Sequence, residues 1–533
     1  MDPASIQQSL HQATVHHRAG RLGEAEKLYR TVLAAQPGNP VALHLLGTLA
    51  GQVGRHDAAA ELIRRAIAIN PADADAHFNL GVSLAELGRL GEAVVAYRQA
   101  AALRPQYLEA HNNLALCLQK TGEIDAAIAS FRRALALRPD NGEVLNNLGT
   151  ALKEKGESKE AIDTYRRAMA LRPGDPGVHL NLGLGLKEAG FVEEAIASYR
   201  QALRLSPDYV DAHYALAWAL LLNGEYPEGW AQYECRWRKQ EWIALGRHFS
   251  QPRWDGGGLS GRRILLHAEQ GFGDTVHFAR YIPLVAQRGG RVIVMCQPAL
   301  KRLLASVASA EQIVAADEAL PDFDLHCPLL SLPYVMGTTV GTIPASIPYL
   351  HAEPELARRW QAKLNVDPPA LKVGLVWAGS PGNPNDANRS LSLRQLAPLA
   401  EAPGVRFFSL QKGPAASQTH DPANARFHLV DIDSGLNDFA DTAAALANLD
   451  LLITVDTSVA HLAGSLGHPA WVLLPHSPDY RWLREREDTS WYPTLRLFRQ
   501  KKPRQWEEVI GRVAQELRSV AGALARNGGA TEG

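Results

Sequence analysis

Proline recurs every 34 residues through the first half of the chain, and this spacing constrains the fold more than any other feature of the sequence. Self-similarity with a period of roughly 20–50 residues is typical of stacked repeats, in which a single unit cannot bury its own apolar face. The chain is therefore expected to begin with a stack of small units and not with one globular core. The repeated prolines are Pro37, Pro71, Pro105, Pro139, Pro173 and Pro207.

Small and large residues also alternate within each unit. Small residues stand where two helices would cross closely, a large side chain would fill the space between them, and proline would end the second helix. This pattern resembles the tetratricopeptide repeat and assigns residues 6–243 to an α superhelix, in which Pro227 and Gly229 disturb the last copy. The small series is Gly47, Gly81, Ala115, Gly149, Gly183 and Ala217, and the large series is Ile63, Tyr97, Phe131, Tyr165 and Tyr199.

Asparagine recurs at one position of the first helix in four consecutive units. Because asparagine is a middling-to-poor helix former, this repetition needs a reason. Each carboxamide offers a donor and an acceptor, so a row of them on the concave face would bind the backbone of an extended protein or peptide acceptor. The alternative is that these side chains bond between adjacent repeats and bind nothing. They are Asn79, Asn113, Asn147 and Asn181.

The overall charge balance does not favour a nucleic-acid or anionic-membrane partner, although a local basic patch is compatible with it. Lys and Arg number 55 against 56 for Asp and Glu, which gives no support to a nucleic-acid partner. The sequence contains no uninterrupted apolar run of about 18 residues, so no membrane span is expected. Four cysteines without a C-x-x-C pair suggest reduced thiols, and the start lacks a signal-peptide pattern. A cytoplasmic protein is the resulting expectation.

After a glycine-rich joint at 255–258 the pattern changes to short strands alternating with helices. This alternation predicts an α/β region of two Rossmann-like lobes, at residues 262–350 and 371–524, joined by a proline-rich connector. The expected strands are Arg263–His267, Arg291–Cys296, Ile313–Ala316, Asp324–Cys327, Lys372–Trp377, Val405–Leu410, Phe427–Val430, Leu451–Val455 and Ala470–Leu474, with a closing helix from Trp506 to about Leu524.

Two strand-to-helix turns in this region carry candidate chemistry. The first is Glu269–Asp274 and the second is Val455–His461. Ligands of such sheets bind outside the carboxyl ends of the strands, and free amides at a helix N-terminus suit a diphosphate. Taken singly, Asp274 and Asp456 could be ordinary helix caps, and His461 could simply pack against the sheet.

The two turns together resemble motifs of glycosyltransferase family 9, the heptosyltransferases. Gly273-Asp274 to Pro283 matches the first motif, and Asp456 to Pro469 matches the second. The layout of repeats followed by this unit is similar to that of O-GlcNAc transferase.

This resemblance implies a GT-B fold that binds a nucleotide sugar between its lobes, without an obligatory metal or other cofactor. It makes Asp274 the general base, with Glu269 as a residue that could share this role. Asp431-Ile-Asp433 matches a metal motif of a different transferase fold and is discounted as a chance match. The implied donor-binding residues are Gly271, Gly273, Arg389, Lys412, Asp456, Thr457, Ser458 and His461.

Three functions follow from these patterns. The first is a glycosyltransferase whose repeats recruit a protein acceptor. The second is a transferase for a glycolipid or a cell-surface glycan precursor, and the third is a non-catalytic repeat scaffold. The aromatic residues Trp482, Trp491 and Tyr492 could stack on a base or line the cleft, although core packing is the simpler role for at least half of them.

Overall fold

The computed structural model describes residues 1–240, 249–365, 370–383 and 385–528. Its first part is a series of antiparallel helix pairs, as the repeat pattern predicts, although the predicted end of the repeats at residue 243 lies outside the described residues. The helices are α1 (Pro3–Arg18), α2 (Leu22–Ala35), α3 (Pro40–Gln52), α4 (His56–Ile69), α5 (Ala74–Glu86), α6 (Leu90–Leu103), α7 (Leu108–Lys120), α8 (Ile124–Leu137), α9 (Gly142–Lys155), α10 (Ser158–Leu171), α11 (Pro176–Glu188), α12 (Val192–Leu205), α13 (Val210–Leu222) and α14 (Tyr226–Tyr233).

The two helices of a repeat meet where a small residue faces a large one. A Cβ atom added to Gly81 of α5 would lie 2.7 Å from two ring carbons of Tyr97 in α6. The same construction at Gly149 reaches within 2.6 Å of the Tyr165 ring. Both tyrosines are buried. The predicted role of the small residues is therefore confirmed, since any side chain at these positions would push the helices apart.

A second series with the same 34-residue step consists of glycines, which the proline-based prediction does not include. Each glycine closes the turn between the two helices of a repeat, with φ between +72° and +90°. Glycine is the residue that adopts this left-handed conformation at least cost. The series is Gly20, Gly54, Gly88, Gly122, Gly156, Gly190 and Gly224.

The chain divides into two compact units, Met1–Leu186 and Lys187–Gly533. The first unit contains α1–α10 and most of α11. The second unit contains α12–α14 together with the α/β region, so the division falls within the repeats and not at their end. The predicted limits of 6–243, 262–350 and 371–524 follow sequence patterns and remain predictions.

The α/β region of the second unit contains two parallel sheets. The first has the strand order β3-β2-β1-β4, and the second has the order β10-β9-β8-β5-β6-β7. The strands are β1 (Arg263–His267), β2 (Arg291–Cys296), β3 (Ala310–Ala315), β4 (Leu325–Pro328), β5 (Leu371–Val376), β6 (Val405–Ser409), β7 (Val430–Asp431), β8 (Leu451–Val455), β9 (Ala470–Leu474) and β10 (Leu495–Arg499).

Most connections between consecutive strands contain an α-helix or a 3-10 helix, which suits parallel pairing, whereas the segment between β3 and β4 contains no helix. A set of apolar residues on one face of the last helix packs against the second sheet, including Val509, Val513 and Leu517. None of the helices in the described ranges has the length and apolar character that a membrane span requires. The longer helices are α15 (Phe272–Phe278), α16 (Ile282–Gln287), α17 (Pro354–Lys363), α18 (Phe439–Leu446), α19 (Ser458–Leu466) and α20 (Trp506–Gly528).

Most predicted strands are confirmed, and two differences have physical causes. The strand predicted at Phe427–Val430 is wrong in most of its length, because Pro422–Phe427 forms a 3-10 helix and β7 contains only Val430–Asp431. Proline cannot donate to a strand ladder, and it suits the first turn of a helix. The edge strand β10 was missed, because the sequence Leu-Arg-Leu-Phe-Arg carries two arginines among its apolar residues.

The helix crossing at Gly81 gives a stability prediction. Gly81→Ala should lower the free energy of unfolding by about 1–3 kcal/mol, because its methyl group overlaps the Tyr97 ring. Gly91→Ala is the matched control, since a Cβ atom at Gly91 in α6 meets nothing within 4 Å. Alanine forms helix better than glycine, so this control should be unchanged or slightly stabilised. Denaturant unfolding followed by circular dichroism measures both, and equal effects would contradict the packing described.

Candidate functional site

The two predicted turns meet in the second unit. The first turn leads from β1 into α15, and the second leads from β8 into α19. A Cβ atom added to Gly273 would lie 3.0 Å from the Cδ2 atom of His461 and 3.4 Å from the Cα atom of Ser458. The missing side chain at Gly273 thus allows α15 to contact the first turn of α19. Residues nearly 200 positions apart in sequence form one cluster.

Asp274, the predicted base, is held by an arginine. Its Oδ1 atom accepts a hydrogen bond from Nη2 of Arg481, while Nη1 of Arg481 lies 3.0 Å from both carboxylate oxygens of Asp479. The Arg481 side chain is 7% exposed and the two carboxylates are each 17% exposed. Burial raises the pKa of Asp274, whereas the charge of Arg481 acts in the opposite direction.

Asp456 lies at the carboxyl end of β8, directly before the N-terminus of α19. Burial, together with the negative charge of Asp479, raises its pKa to about 6. Arg389 donates from Nη1 to the Asp456 carbonyl oxygen at 2.8 Å. The Thr457 hydroxyl lies 3.1 Å from the hydroxyl of Thr454 and does not cap its own helix. The structure therefore brings Arg389, Asp456 and Thr457 together, beside the first residue of α19, Ser458.

His461 belongs to a buried aromatic network. Its ring stacks on Trp482 with centroids 5.4 Å apart, and its Nδ1 atom lies 3.1 Å from the Tyr492 hydroxyl. The same hydroxyl lies 2.7 Å from Nδ1 of His277. Burial lowers the pKa of both histidines well below the usual value, so both rings are neutral at pH 7. The hydroxyl can donate to one neutral ring and accept from the other, which fixes opposite tautomers.

The aromatic residues considered from the sequence are core residues. Trp482, Trp491 and Tyr492 are completely buried. A Cβ atom at Gly464 of α19 would lie 2.3 Å from the Tyr492 ring, so this ring also sets the distance between the helix and the segment after β9. Core packing, the simpler of the two roles expected for these residues, is confirmed for all three.

Glu269 lies in a separate buried ion network. Nη2 of Arg236 lies 2.9 Å and 3.1 Å from its two carboxylate oxygens, and Arg236 also bonds to Glu234 and Ser331. Burial raises the pKa of Glu269 to about 7, and the charge of Arg236 opposes this shift. Because a guanidinium occupies both oxygens, this placement favours a structural role over that of a base.

Lys412 and the D-x-D segment form local contacts. Nζ of Lys412 lies 2.5 Å from Oδ1 of Asp433, and the lysine side chain is 53% exposed. The backbone amide of Asp433 donates to the Asp431 carboxylate at 2.9 Å, so Asp431 closes a turn while the Asp433 carboxylate pairs with Lys412. Within the described ranges there is no group of three or more His, Cys, Asp or Glu side chains arranged to hold a metal ion.

Three members of the asparagine row donate to the preceding repeat, whereas Asn113 accepts from Asn112 of its own helix at 3.3 Å. Asn79 donates to the Thr48 hydroxyl at 3.2 Å, and Asn181 donates to the Asn146 carboxamide oxygen at 3.0 Å. Asn147 donates to Asn112 in the same way at 3.3 Å. All four residues, Asn79, Asn113, Asn147 and Asn181, are half-buried. These bonds agree with the alternative of bonding between repeats, and acceptor binding by the row remains a prediction.

Sequence reasoning missed the residues that connect the two turns. Arg481, Asp479 and His277 contribute charge or hydrogen bonds to the cluster, yet the sequence analysis assigned them no role. A usable signal was present, because the Asp-Tyr-Arg-Trp segment at 479–482 follows the carboxyl end of β9. Polar residues at that edge of a parallel sheet are candidates for a binding site.

Comparisons with known proteins identify the repeats. A model of the C-terminal domain of cilia and flagella-associated protein 70 matches residues 3–215, and a tetratricopeptide-repeat model matches residues 210–231. These residues carry tetratricopeptide repeats. The repeat part of the chain thus has the helical superhelix expected from its 34-residue period.

A curated relative covers more than the repeats. Protein FlbA of Caulobacter vibrioides is 30% identical over an alignment of 329 positions, which covers 57% of this chain and 54% of that protein. The chain therefore spans about half the length of this relative. Since 57% of 533 residues is about 304, and residues 6–243 number 238, the match includes residues outside the predicted repeats.

Solved structures of two proteins are similar to part of this chain. A crystal structure of MamA is 25% identical with a TM-score of 0.29, covering 30% of this chain and 94% of that chain. A structure of pilF from Pseudomonas aeruginosa is 20% identical with a TM-score of 0.35, covering 39% of this chain and 95% of that chain.

The shared tyrosine hydroxyl gives a prediction about the cluster. Tyr492→Phe should lower the free energy of unfolding by about 1–3 kcal/mol, because it leaves two buried histidine nitrogens without their partner. Tyr480→Phe is the matched control, since the buried Tyr480 hydroxyl has no hydrogen-bond partner among the described residues. Denaturant unfolding followed by tryptophan fluorescence measures both variants. An equal loss in the two would contradict the network.

Proposed function

We propose that this chain is a glycosyltransferase. Its α/β region would act as a GT-B-type unit that takes a sugar from a nucleotide sugar, and its repeats would recruit a protein acceptor. The observation that carries the proposal is the contact of α15 with the first turn of α19. This contact joins the two motifs that resemble glycosyltransferase family 9, and it leaves Asp274 close to the segment suited to phosphate.

The N-terminus of α19 supports a donor site. Helix N-termini favour anions because their amide groups are unpaired and the helix dipole is positive there. Arg389 is fixed beside this end by its bond to the Asp456 carbonyl oxygen. Ser458 is half-buried as the first residue of the helix, and its amide and hydroxyl would donate to a diphosphate. Fixed positive groups at this position would stabilise the charge that develops on the leaving group.

Asp274 is the proposed base. An acceptor hydroxyl would attack the anomeric carbon of the donor and lose its proton to the Asp274 carboxylate. The bond between the anomeric carbon and the phosphate oxygen would break, and its electron pair would leave with the nucleotide. A positioned base of this kind contributes about 10²–10⁴-fold to the rate. Burial raises the pKa of Asp274, and a higher pKa makes its carboxylate a better proton acceptor.

The repeats support a protein acceptor, because proteins of this repeat class present extended concave surfaces for binding. A transferase for a glycolipid or glycan precursor remains the alternative enzyme. A non-catalytic scaffold is a second candidate function, and the hydrogen bond from Arg481 to Asp274 favours it. The charge of Arg481 favours the ionised form of Asp274 and so reduces the basicity that burial gives this carboxylate.

Nucleotide binding tests the proposal. The full chain should be stabilised by about 2.7 kcal/mol at a ligand concentration about 100 times the dissociation constant. Thermal shift with ADP, GDP, UDP, CMP and their sugar conjugates measures this effect, and the double variant Thr457→Ala/Ser458→Ala should lose most of it. Thr442→Ala is the control, since its hydroxyl donates to the Asp438 carbonyl within α18. If no ligand shifts the melting of the wild-type chain, the scaffold function replaces the enzyme.

A further inference from the structure

Arg481 is the cation at the centre of the candidate site. It bonds to Asp274 through Nη2 and to Asp479 through Nη1. Its guanidinium carbon lies 4.6 Å above the Tyr480 ring and 5.5 Å from the Phe278 ring. Its Nε atom is buried and has no hydrogen-bond partner among the described residues. A charge so far from water interacts strongly with any neighbouring anion.

The two carboxylates hold this arginine in different ways. Asp479 lies two residues before Arg481 and contacts Nη1 with both oxygens, so it fixes one edge of the guanidinium within a single short segment. Asp274 belongs to α15 and contacts Nη2 with one oxygen. Loss of the Asp274 bond would therefore leave Arg481 in place, with its Nη2 edge available to another anion.

That edge lies beside the proposed donor site. Gly273, the neighbour of Asp274, contacts Ser458 and His461 in the first turn of α19. Trp482, the neighbour of Arg481, stacks on His461. The chain neighbours of both Asp274 and Arg481 therefore contact the helix turn that would receive the phosphate groups. Arginine is well suited to this ligand, since its planar fork binds phosphate oxygens in pairs.

We propose that Arg481 binds the phosphate groups of the donor, and that the donor thereby displaces Asp274 from Arg481. This inference rests on the proposed function. In the unliganded protein the Asp274 carboxylate is paired with Arg481. It can accept a proton as a base only after the donor phosphate has replaced it as the partner of Arg481. The acceptor proton then passes to Asp274, and the electron pair of the broken bond passes to the phosphate that Arg481 binds. Donor binding precedes acceptor activation.

The arrangement makes an unusual prediction about the base. Because Asp274 competes with phosphate for Arg481, Asp274→Asn should bind nucleotide more tightly than the wild-type chain, by at least about threefold. Arg481→Met should bind nucleotide about tenfold more weakly than the wild-type chain. Arg481→Lys should lose less affinity than Arg481→Met, because lysine keeps the positive charge. If Arg481 and Asp274 only supported the fold, their substitutions would not change nucleotide affinity in opposite directions.

Isothermal titration of the full chain with pyrophosphate, ADP, GDP, UDP and CMP tests the inference. Asp488→Asn is the control for the change in net charge, because Asp488 is 73% exposed and pairs with Arg486 on the same segment. It should bind nucleotide like the wild-type chain. Circular dichroism identifies the variants that fold. If Asp274→Asn does not fold, the nucleotide affinities of Arg481→Met and Arg481→Lys test the inference.

The outcomes separate the inference from the proposed function. If the wild-type chain binds nucleotide, unchanged affinity in Arg481→Met would overturn the role of Arg481 and leave the enzyme in place. Unchanged or weaker affinity in a folded Asp274→Asn would do the same. Failure of the wild-type chain to bind any of the five probes would overturn both. Tighter binding by Asp274→Asn with weaker binding by Arg481→Met is the result expected.

Discussion

The close approach of α15 to α19 at Gly273 is the contact on which the candidate site depends. A Cβ atom at this position would lie 3.0 Å from the Cδ2 atom of His461 and 3.4 Å from the Cα atom of Ser458, so the His461 ring or the helices would have to shift by a few tenths of an ångström. The approach brings together Asp274 and Arg481, which come from turns after strands of different sheets. Burial then raises the pKa values of Asp274 and Asp456 and lowers those of His277 and His461.

The repeats are predictable because their determinants are local and periodic. One proline and one small residue per 34 positions are sufficient to place the helix pairs. In the α/β region, the carboxyl ends of buried strands are sufficient to identify the two candidate turns, Glu269–Asp274 and Val455–His461. The bonds of Arg481 were not predictable, since they depend on packing between residues 207 positions apart. The asparagine row illustrates another limit. Sequence identifies the repetition, whereas only coordinates show that the amides donate to the preceding repeat.

The last repeat helices, α12–α14, belong to the same compact unit as the α/β region. Nε1 of Trp491 donates to the Tyr226 hydroxyl of α14 at 3.0 Å, and Arg484 bonds to Glu193 of α12 at 2.6 Å. Tyr226 and Trp230 are buried in this unit. Removing all repeats at their predicted end would therefore expose apolar surface. An acceptor held by α12–α14 would be fixed with respect to the α/β region, because these helices share its core.

Transfer of a labelled sugar tests the central claim most directly. The full chain would be incubated with radiolabelled nucleotide sugars and a lysate of the organism that produces it, and the label would be followed after protease treatment and after solvent extraction. We expect protease-sensitive label that Asp274→Asn abolishes and that Asn113→Ala/Asn147→Ala reduces without changing nucleotide affinity. Label that is extracted with lipid would contradict a protein acceptor. No transfer from any donor would contradict the enzyme and leave the repeat scaffold as the function.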